Sequence, residues 1–194
     1  TAKFDLMPFS GQVVSFTGAM AYWAKVETVV WFCKKVWPLV LERTPKACFY
    51  IVGTSPSSEV LALHDGVSVV VTGRVKDVRP YLNASAAVVA PLRIARGIQN
   101  KVLEALSMER YVIGTTMAFE GIECDGKDLD ISIVDDEVGF SEALSAQLEI
   151  EAGRTSIRAH MKNRKFVTDY YNWEAKLNEL TPLLLGKEHS PQTP

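Results

Sequence analysis

The 194-residue sequence is short of cysteine, histidine, net charge and long apolar runs, and each shortage removes a class of protein. Three cysteines, Cys33, Cys48 and Cys124, are odd in number, widely spaced and free of any C-x-x-C pair. They fit reduced thiols in the cytoplasm better than a disulfide frame or a zinc knuckle. His64, His160 and His189 are the only histidines, and no H-E-x-x-H or His/Cys cluster offers a metal site. All three are expected to face solvent. A formal net charge of −2 gives no electrostatic reason to expect nucleic acid, or an anionic membrane held by bulk charge. No apolar run approaches the ~20 residues needed to span a bilayer, and no signal-peptide pattern opens the sequence. Neither G-x-x-x-x-G-K-[ST] nor G-x-G-x-x-G is present.

What is present is ordinary globular chemistry, 47% apolar and 23% charged, in a length that suits one domain. Short apolar runs alternate with helical periodicity. Strands are expected at Gln12–Thr17, Cys48–Val52, Val67–Val71, Ala86–Ala90, Tyr111–Gly114 and Ile131–Val134. Between and after them the spacing predicts helices over 23–42, 57–63 and 77–83, another after Gly97, then 137–148, 154–169 and a terminal one to Leu185. In the first, Val26, Val29, Val30, Cys33, Val36, Trp37 and Val40 form the expected buried face. Trp23, Trp31, Trp37 and Trp173 read as core or interface residues rather than ligand platforms. Strands alternating with helices imply right-handed crossovers and a doubly wound, Rossmann-like α/β fold around a parallel sheet. Ligands on such sheets bind beyond the carboxyl ends of the strands. Gly18, Gly73, Pro91–Gly97 and Thr115–Gly121 all follow strands and are expected to converge there.

The stretch from Ala90 to Ala105, APLRIARGIQNKVLEA, carries the chemistry. It reads as a strand end, a loop with Arg93 and Arg96, then Gly97 opening an amphipathic helix. Lys101 and Glu104 lie three apart and share a face of that helix. A glycine before a helix lets backbone pass close to a ligand, and the first free N–H groups favour an anion. Two arginines and a lysine beside those donors suit a diphosphate, and Glu104 suits ribose hydroxyls. The alternative is an exposed i,i+3 salt bridge worth a few tenths of a kcal/mol.

The same words resemble the donor-binding loop of the group 1 family of GT-B-fold glycosyltransferases, whose motif is two glutamates separated by seven residues. Glu104-Ala105-Leu106-Ser107-Met108 stands at the second glutamate, and Arg96 takes the place of the first. The run Arg93 to Glu104 is closer still to bacterial sugar transferases associated with exosortase (PEP-CTERM) exopolysaccharide loci. Phe16-Thr17-Gly18-Ala19-Met20-Ala21-Tyr22 resembles the family's first glycine turn, with Ala24-Lys25 in place of its Pro-Asn. Glu109 and Tyr111 stand where relatives carry Gly and Pro.

The resemblance implies the C-terminal half of a two-domain enzyme that transfers a sugar from a nucleotide diphosphate to an acceptor hydroxyl. It implies retention at the anomeric carbon, no essential metal and no cofactor beyond the donor itself. Residues 1–12 would be an interdomain linker, 13–185 the donor-binding domain and 186–194 a disordered tail. The acceptor-binding N-terminal domain would lie outside this chain, with peripheral membrane association open to the whole enzyme. Lys101, Arg96 and Glu104 are the candidate catalytic residues. Arg93 and Arg96 are alternatives for the phosphate clamp, the other holding the loop. Gly18, Gly97, Ile98 and Gln99 would bring backbone to the donor, and Gly73, Arg74 and Val75 would wall the base. Lys25 is either a phosphate ligand or a solvated residue of its helix. Glu120-Gly121-Ile122 would lie over the donor pocket, with Glu120 either touching the donor or capping a turn. The rival readings are a degenerate, non-catalytic nucleotide- or protein-binding module, and a non-hydrolysing epimerase, whose carboxylate and histidine cluster has no counterpart here.

Overall fold

The computed structural model describes residues 12–152, 154 and 156–172. The linker, the terminal helix, the tail, Trp173 and His189 lie outside the described residues. Six strands, β1 (Val13–Thr17), β2 (Cys48–Val52), β3 (Val69–Gly73), β4 (Ala87–Ala90), β5 (Val112–Gly114) and β6 (Ile131–Ile133), form one sheet in the order β3-β2-β1-β4-β5-β6. Every neighbouring pair is parallel. The doubly wound fold read from the sequence is therefore the fold observed. Strands β1, β2, β4 and β5 are buried along their whole length, as strands covered on both faces must be. Period-two alternation sorts their side chains. Phe49 and its neighbours on one face meet Phe32 at 4.7 Å between ring centroids, and Phe32 meets Phe140 at 5.8 Å. On the other face Tyr50 meets Tyr81 at 5.8 Å.

The first helical stretch runs as α1 (Trp23–Trp31), a π-turn (Phe32–Val36) and α2 (Trp37–Arg43) rather than as one regular helix. Pro38 is the reason. It has no N–H for the carbonyl one turn back, and a widened turn closed by the Trp37 N–H on the Phe32 carbonyl absorbs the defect. The wider turn rotates the buried face. Ala24, Thr28, Val29, Phe32, Val36, Trp37 and Val40 are buried, whereas Val26, Val30 and Cys33 are only partly so.

Two other boundaries move for local polar reasons. The Asp65 carboxylate accepts the N–H groups of Val67, Ser68 and Val69 at 2.7–2.8 Å, so the expected strand start becomes a turn and β3 begins two residues later. Thr72 and Gly73, expected beyond β3, are its last residues. After α3 (Ser58–Leu61), α4 (Arg79–Ala84), α5 (Asn100–Ser107), α6 (Thr116–Phe119) and α7 (Glu137–Glu151), α8 spans Met161–Tyr170 instead of 154–169. The Arg158 N–H is drawn to the buried Glu151 carboxylate, and the His160 N–H to the Glu109 carbonyl. His160, expected in solvent, is 4% exposed, with Nδ1 3.0 Å from the Asp130 carboxylate. His64 is exposed, yet its Nδ1 accepts the Val71 N–H at 3.1 Å. Among the described residues no helix is long and apolar enough to cross a membrane.

Glu109, directly past the end of α5, has φ +58°. This is the left-handed position where glycine is favoured, and its exposed pairing with Arg164 at 3.5 Å contributes little. Glu109→Gly should raise the melting temperature by a few degrees, about 0.5–1 kcal/mol. A fall in thermal unfolding measurements would contradict this reading of the strain.

Candidate functional site

The strand order reverses between β1 and β4, and the cleft opens at the carboxyl ends there. Two loops frame one wall. The Gly18 N–H donates to the Val52 carbonyl at 3.0 Å and the Met20 N–H to Thr54 at 2.8 Å. These bonds press the turn after β1 onto the turn after β2. An ideal Cβ at Gly53 would sit 1.6 Å from the Gly18 carbonyl oxygen, so the backbones touch and only glycine fits.

The opposite wall is the start of α5. Gly97 was expected to open this helix, but Gln99 is its N-cap and Asn100 its first residue. The Gln99 side-chain amide turns back to the carbonyls of Arg96 and Gly97, at 3.2 and 3.1 Å, and folds the loop onto the helix end. The Asn100 and Lys101 N–H groups lie in the first turn, where no intrahelical acceptor exists.

Between the walls lies a cavity of about 440 Å³, lined among others by Gly18, Lys25, Gly53, Asn100, Lys101 and Glu104. Lys101 is 9% exposed. Its Nζ sits 3.7 Å from the centroid of the Phe16 ring and has no hydrogen-bond partner. Burial pushes its pKa down to about 7, nearby Lys25 pushes the same way, and Glu104 opposes both. A buried ammonium held against a ring face with no directly bonded counter-ion is costly to fold. An anion entering the cavity removes that cost. None of the ion pairs among the described residues includes Lys101, Lys25 or Arg96.

The structure gathers some of the sequence-predicted residues and separates others. Gly18, Lys25, Ile98, Gln99, Lys101 and Glu104 line this one cavity. Gly97 adjoins it, backed by Gly121, where an ideal Cβ would fall 2.6 Å from Gly97 backbone. Arg96 lines a second cavity of about 310 Å³ that shares Lys25 and Gln99 with the first. Arg93 turns elsewhere. It pairs with Glu27 at 3.7 Å and lies over the Trp31 ring at 5.6 Å. The Gly73 carbonyl accepts the Gly53 N–H at 3.3 Å, beside the cavity wall. Arg74 is exposed and Val75 packs on the Val52 and Val70 cluster, both outside the cavity lining. Ile122 is a core residue, and Glu120 borders a separate hollow with Thr116 and Phe119. Of the four tryptophans, Trp37 is buried and Trp23 is 59% exposed at the rim of the first glycine turn.

Sequence reasoning missed Gly53, Thr54 and Asn100 as cavity residues. The signal was a glycine immediately after the second buried strand, read only as a turn.

A family model described as "Glycosyl transferases group 1" matches residues 11–149. A Klebsiella pneumoniae protein described as an uncharacterized 44.6 kDa protein in cps region is 20% identical over 148 residues, covering 72% of this chain and 38% of that protein. Among solved structures, an S. aureus TarM variant in complex with fondaparinux, alpha-GlcNAc-glycerol and UDP is similar at TM-score 0.68 and 16% identity, over 90% of this chain and 36% of that one. Sucrose-phosphate synthase from Thermosynechococcus elongatus is similar at TM-score 0.66 and 18% identity, over 94% of this chain and 47% of that one. Anabaena HepE in complex with UDP gives TM-score 0.63 and 12% identity, over 92% of this chain and 50% of that one. These likenesses carry the GT-B, Rossmann-like fold. The chain spans half or less of the length of each of these proteins.

Proposed function

This chain belongs to the group 1 glycosyl transferases, and on that premise we propose that it is the donor-binding domain of a GT-B enzyme, holding a nucleotide-diphosphate sugar for transfer to an acceptor hydroxyl. The observation that carries the reading is the buried, unpartnered Lys101 ammonium facing a cavity whose far wall is the Gly18–Gly53 backbone contact. The diphosphate lies between Lys101, Lys25 and the first amides of α5. As the glycosidic bond breaks, charge grows on the departing diphosphate. Cations and amides already fixed in place stabilise that charge without having to reorganise. Glu104, exposed at the mouth one turn along α5, accepts the ribose hydroxyls.

Most of the acceptor site and any catalytic base are assigned to sequence outside this chain, which by itself binds donor and turns over little. Retention follows from the family resemblance. The resemblance to exosortase-associated transferases, with one relative located in a cps region, supports exopolysaccharide or other glycoconjugate synthesis as the setting.

Calorimetric titration with UDP, GDP and inorganic pyrophosphate tests the site. Nucleoside diphosphate should bind, and Glu104→Ala should weaken it roughly tenfold relative to pyrophosphate, because only the nucleotide carries ribose hydroxyls. Equal affinities in the two proteins would remove Glu104 from the ribose. No binding at millimolar nucleotide would favour a degenerate module.

A further inference from the structure

The cavity beside the diphosphate cleft is built differently from it. It is lined by Tyr22, Ala24, Lys25, Leu92, Arg96 and Gln99 among others, and no carboxylate borders it. The Arg93 charge is already paired with Glu27, whereas Arg96 enters none of the ion pairs among the described residues. Lys25 and Gln99 line both cavities, so they form the partition between them. A ligand whose diphosphate sits at Lys101 and Lys25 therefore continues past Lys25 toward Arg96. Glu104 is the one carboxylate lining either cavity, and it lines the diphosphate cleft alone. Arg96 itself is exposed, and no carboxylate lines the cavity beside it.

A neutral sugar or alcohol would meet Arg96 only through single, neutral-acceptor hydrogen bonds. A planar guanidinium takes a carboxylate or phosphate by two parallel hydrogen bonds, and the apolar remainder of the lining, Tyr22, Leu92 and Ile94, covers a sugar-sized body but offers no other charge. We propose that Arg96 and Lys25 form a second anion subsite next to the diphosphate cleft, which recognises a carboxylate or phosphate on the group being transferred or on the group receiving it. The inference rests on the donor-binding reading above and names the substrate class that this site selects: an acidic sugar donor, or an acceptor carrying a phosphate near the reacting hydroxyl.

The test compares matched ligands on the 194-residue chain. UDP-glucuronate is titrated against UDP-glucose, and GDP-mannuronate against GDP-mannose. For the acceptor source, sn-glycerol 3-phosphate is titrated against glycerol in the presence of saturating nucleoside diphosphate. An acidic donor preferred by roughly tenfold or more, with the preference collapsing toward unity in Arg96→Ala and partly restored in Arg96→Lys, assigns the anion to the donor sugar. Equal donor affinities with Arg96-dependent binding of glycerol phosphate assign it to the acceptor. If nucleoside diphosphate binds but neither preference exists, or both preferences persist in Arg96→Ala, the subsite is overturned while the donor reading stands. Failure of every nucleotide to bind overturns both.

Discussion

Lys101→Met should sharply weaken nucleoside-diphosphate binding and, in the unliganded protein, raise the melting temperature. The two effects have one cause. The Lys101 ammonium lies against the Phe16 ring with no hydrogen-bond partner and 9% exposure, so the empty site holds a charge the fold would be more stable without. Methionine fills similar space without that charge, and the expected gain is roughly 1–3 kcal/mol. The same change removes the ammonium that meets the incoming diphosphate, and the expected loss of affinity is roughly 30- to 1,000-fold. The gain depends on pH. Folding lowers the Lys101 pKa from the ordinary lysine range to about 7. Between about pH 7 and roughly 10.5 the unfolded chain therefore holds the extra proton, and wild-type stability rises with pH across that window. Below it the penalty is complete. The methionine variant lacks this contribution, so its advantage should be largest at about pH 6.5 and fade toward pH 10. Thermal unfolding of both proteins across that range checks the sign. A variant less stable than wild type at every pH would mean that Lys101 supports the fold and is not held ready for a ligand.

Gly53→Ala should be among the most damaging single substitutions in the domain. Its Cβ would lie 1.6 Å from the Gly18 carbonyl oxygen and 2.7 Å from the Gly18 carbonyl carbon. Both obstacles are backbone, locked by the bonds from Gly18 to Val52 and from Met20 to Thr54, so neither can turn aside as a flexible side chain would. The ends of β1 and β2 must part, with an expected loss of about 3–5 kcal/mol and low soluble yield. Gly73→Ala provides the contrast. That glycine has φ +66° and nothing within 4 Å of an added Cβ, so only backbone strain of about 1–2 kcal/mol is expected. Urea unfolding of the two variants should separate them clearly. Equal, mild effects would show that the two glycine turns are not in contact.

The sheet was readable from the chain because parallel strands buried on both faces appear as near-continuous apolar runs, unbroken in Cys48–Val52 and interrupted only by the small Ser15 and Thr17 in Val13–Thr17. The start of β3 was not, because Val67 and Ser68 have strand composition while the carboxylate that captures their amides sits earlier, at Asp65. The π-turn hid in the same way behind regular spacing, with Pro38 its only mark. At the site, spacing placed Lys101 and Glu104 on one helix face but could not show that one is buried and the other exposed. Nor does local sequence tell Arg93 from Arg96. Glu27, which claims Arg93, belongs to a distant helix. The contact between Gly18 and Gly53 is likewise a product of strand pairing, invisible in either turn alone.

The most direct test of the diphosphate site is proton uptake. Nucleoside diphosphate should be titrated calorimetrically at about pH 8 in two buffers of different ionisation enthalpy, where Lys101 with a pKa of about 7 is mostly neutral before binding. The bound anion restores its charge, so the apparent enthalpies should differ by an uptake approaching one proton per site in wild type and by none in any residual binding of Lys101→Met. Tight binding retained by the methionine variant, with the same uptake as wild type, would place the diphosphate somewhere other than at Lys101.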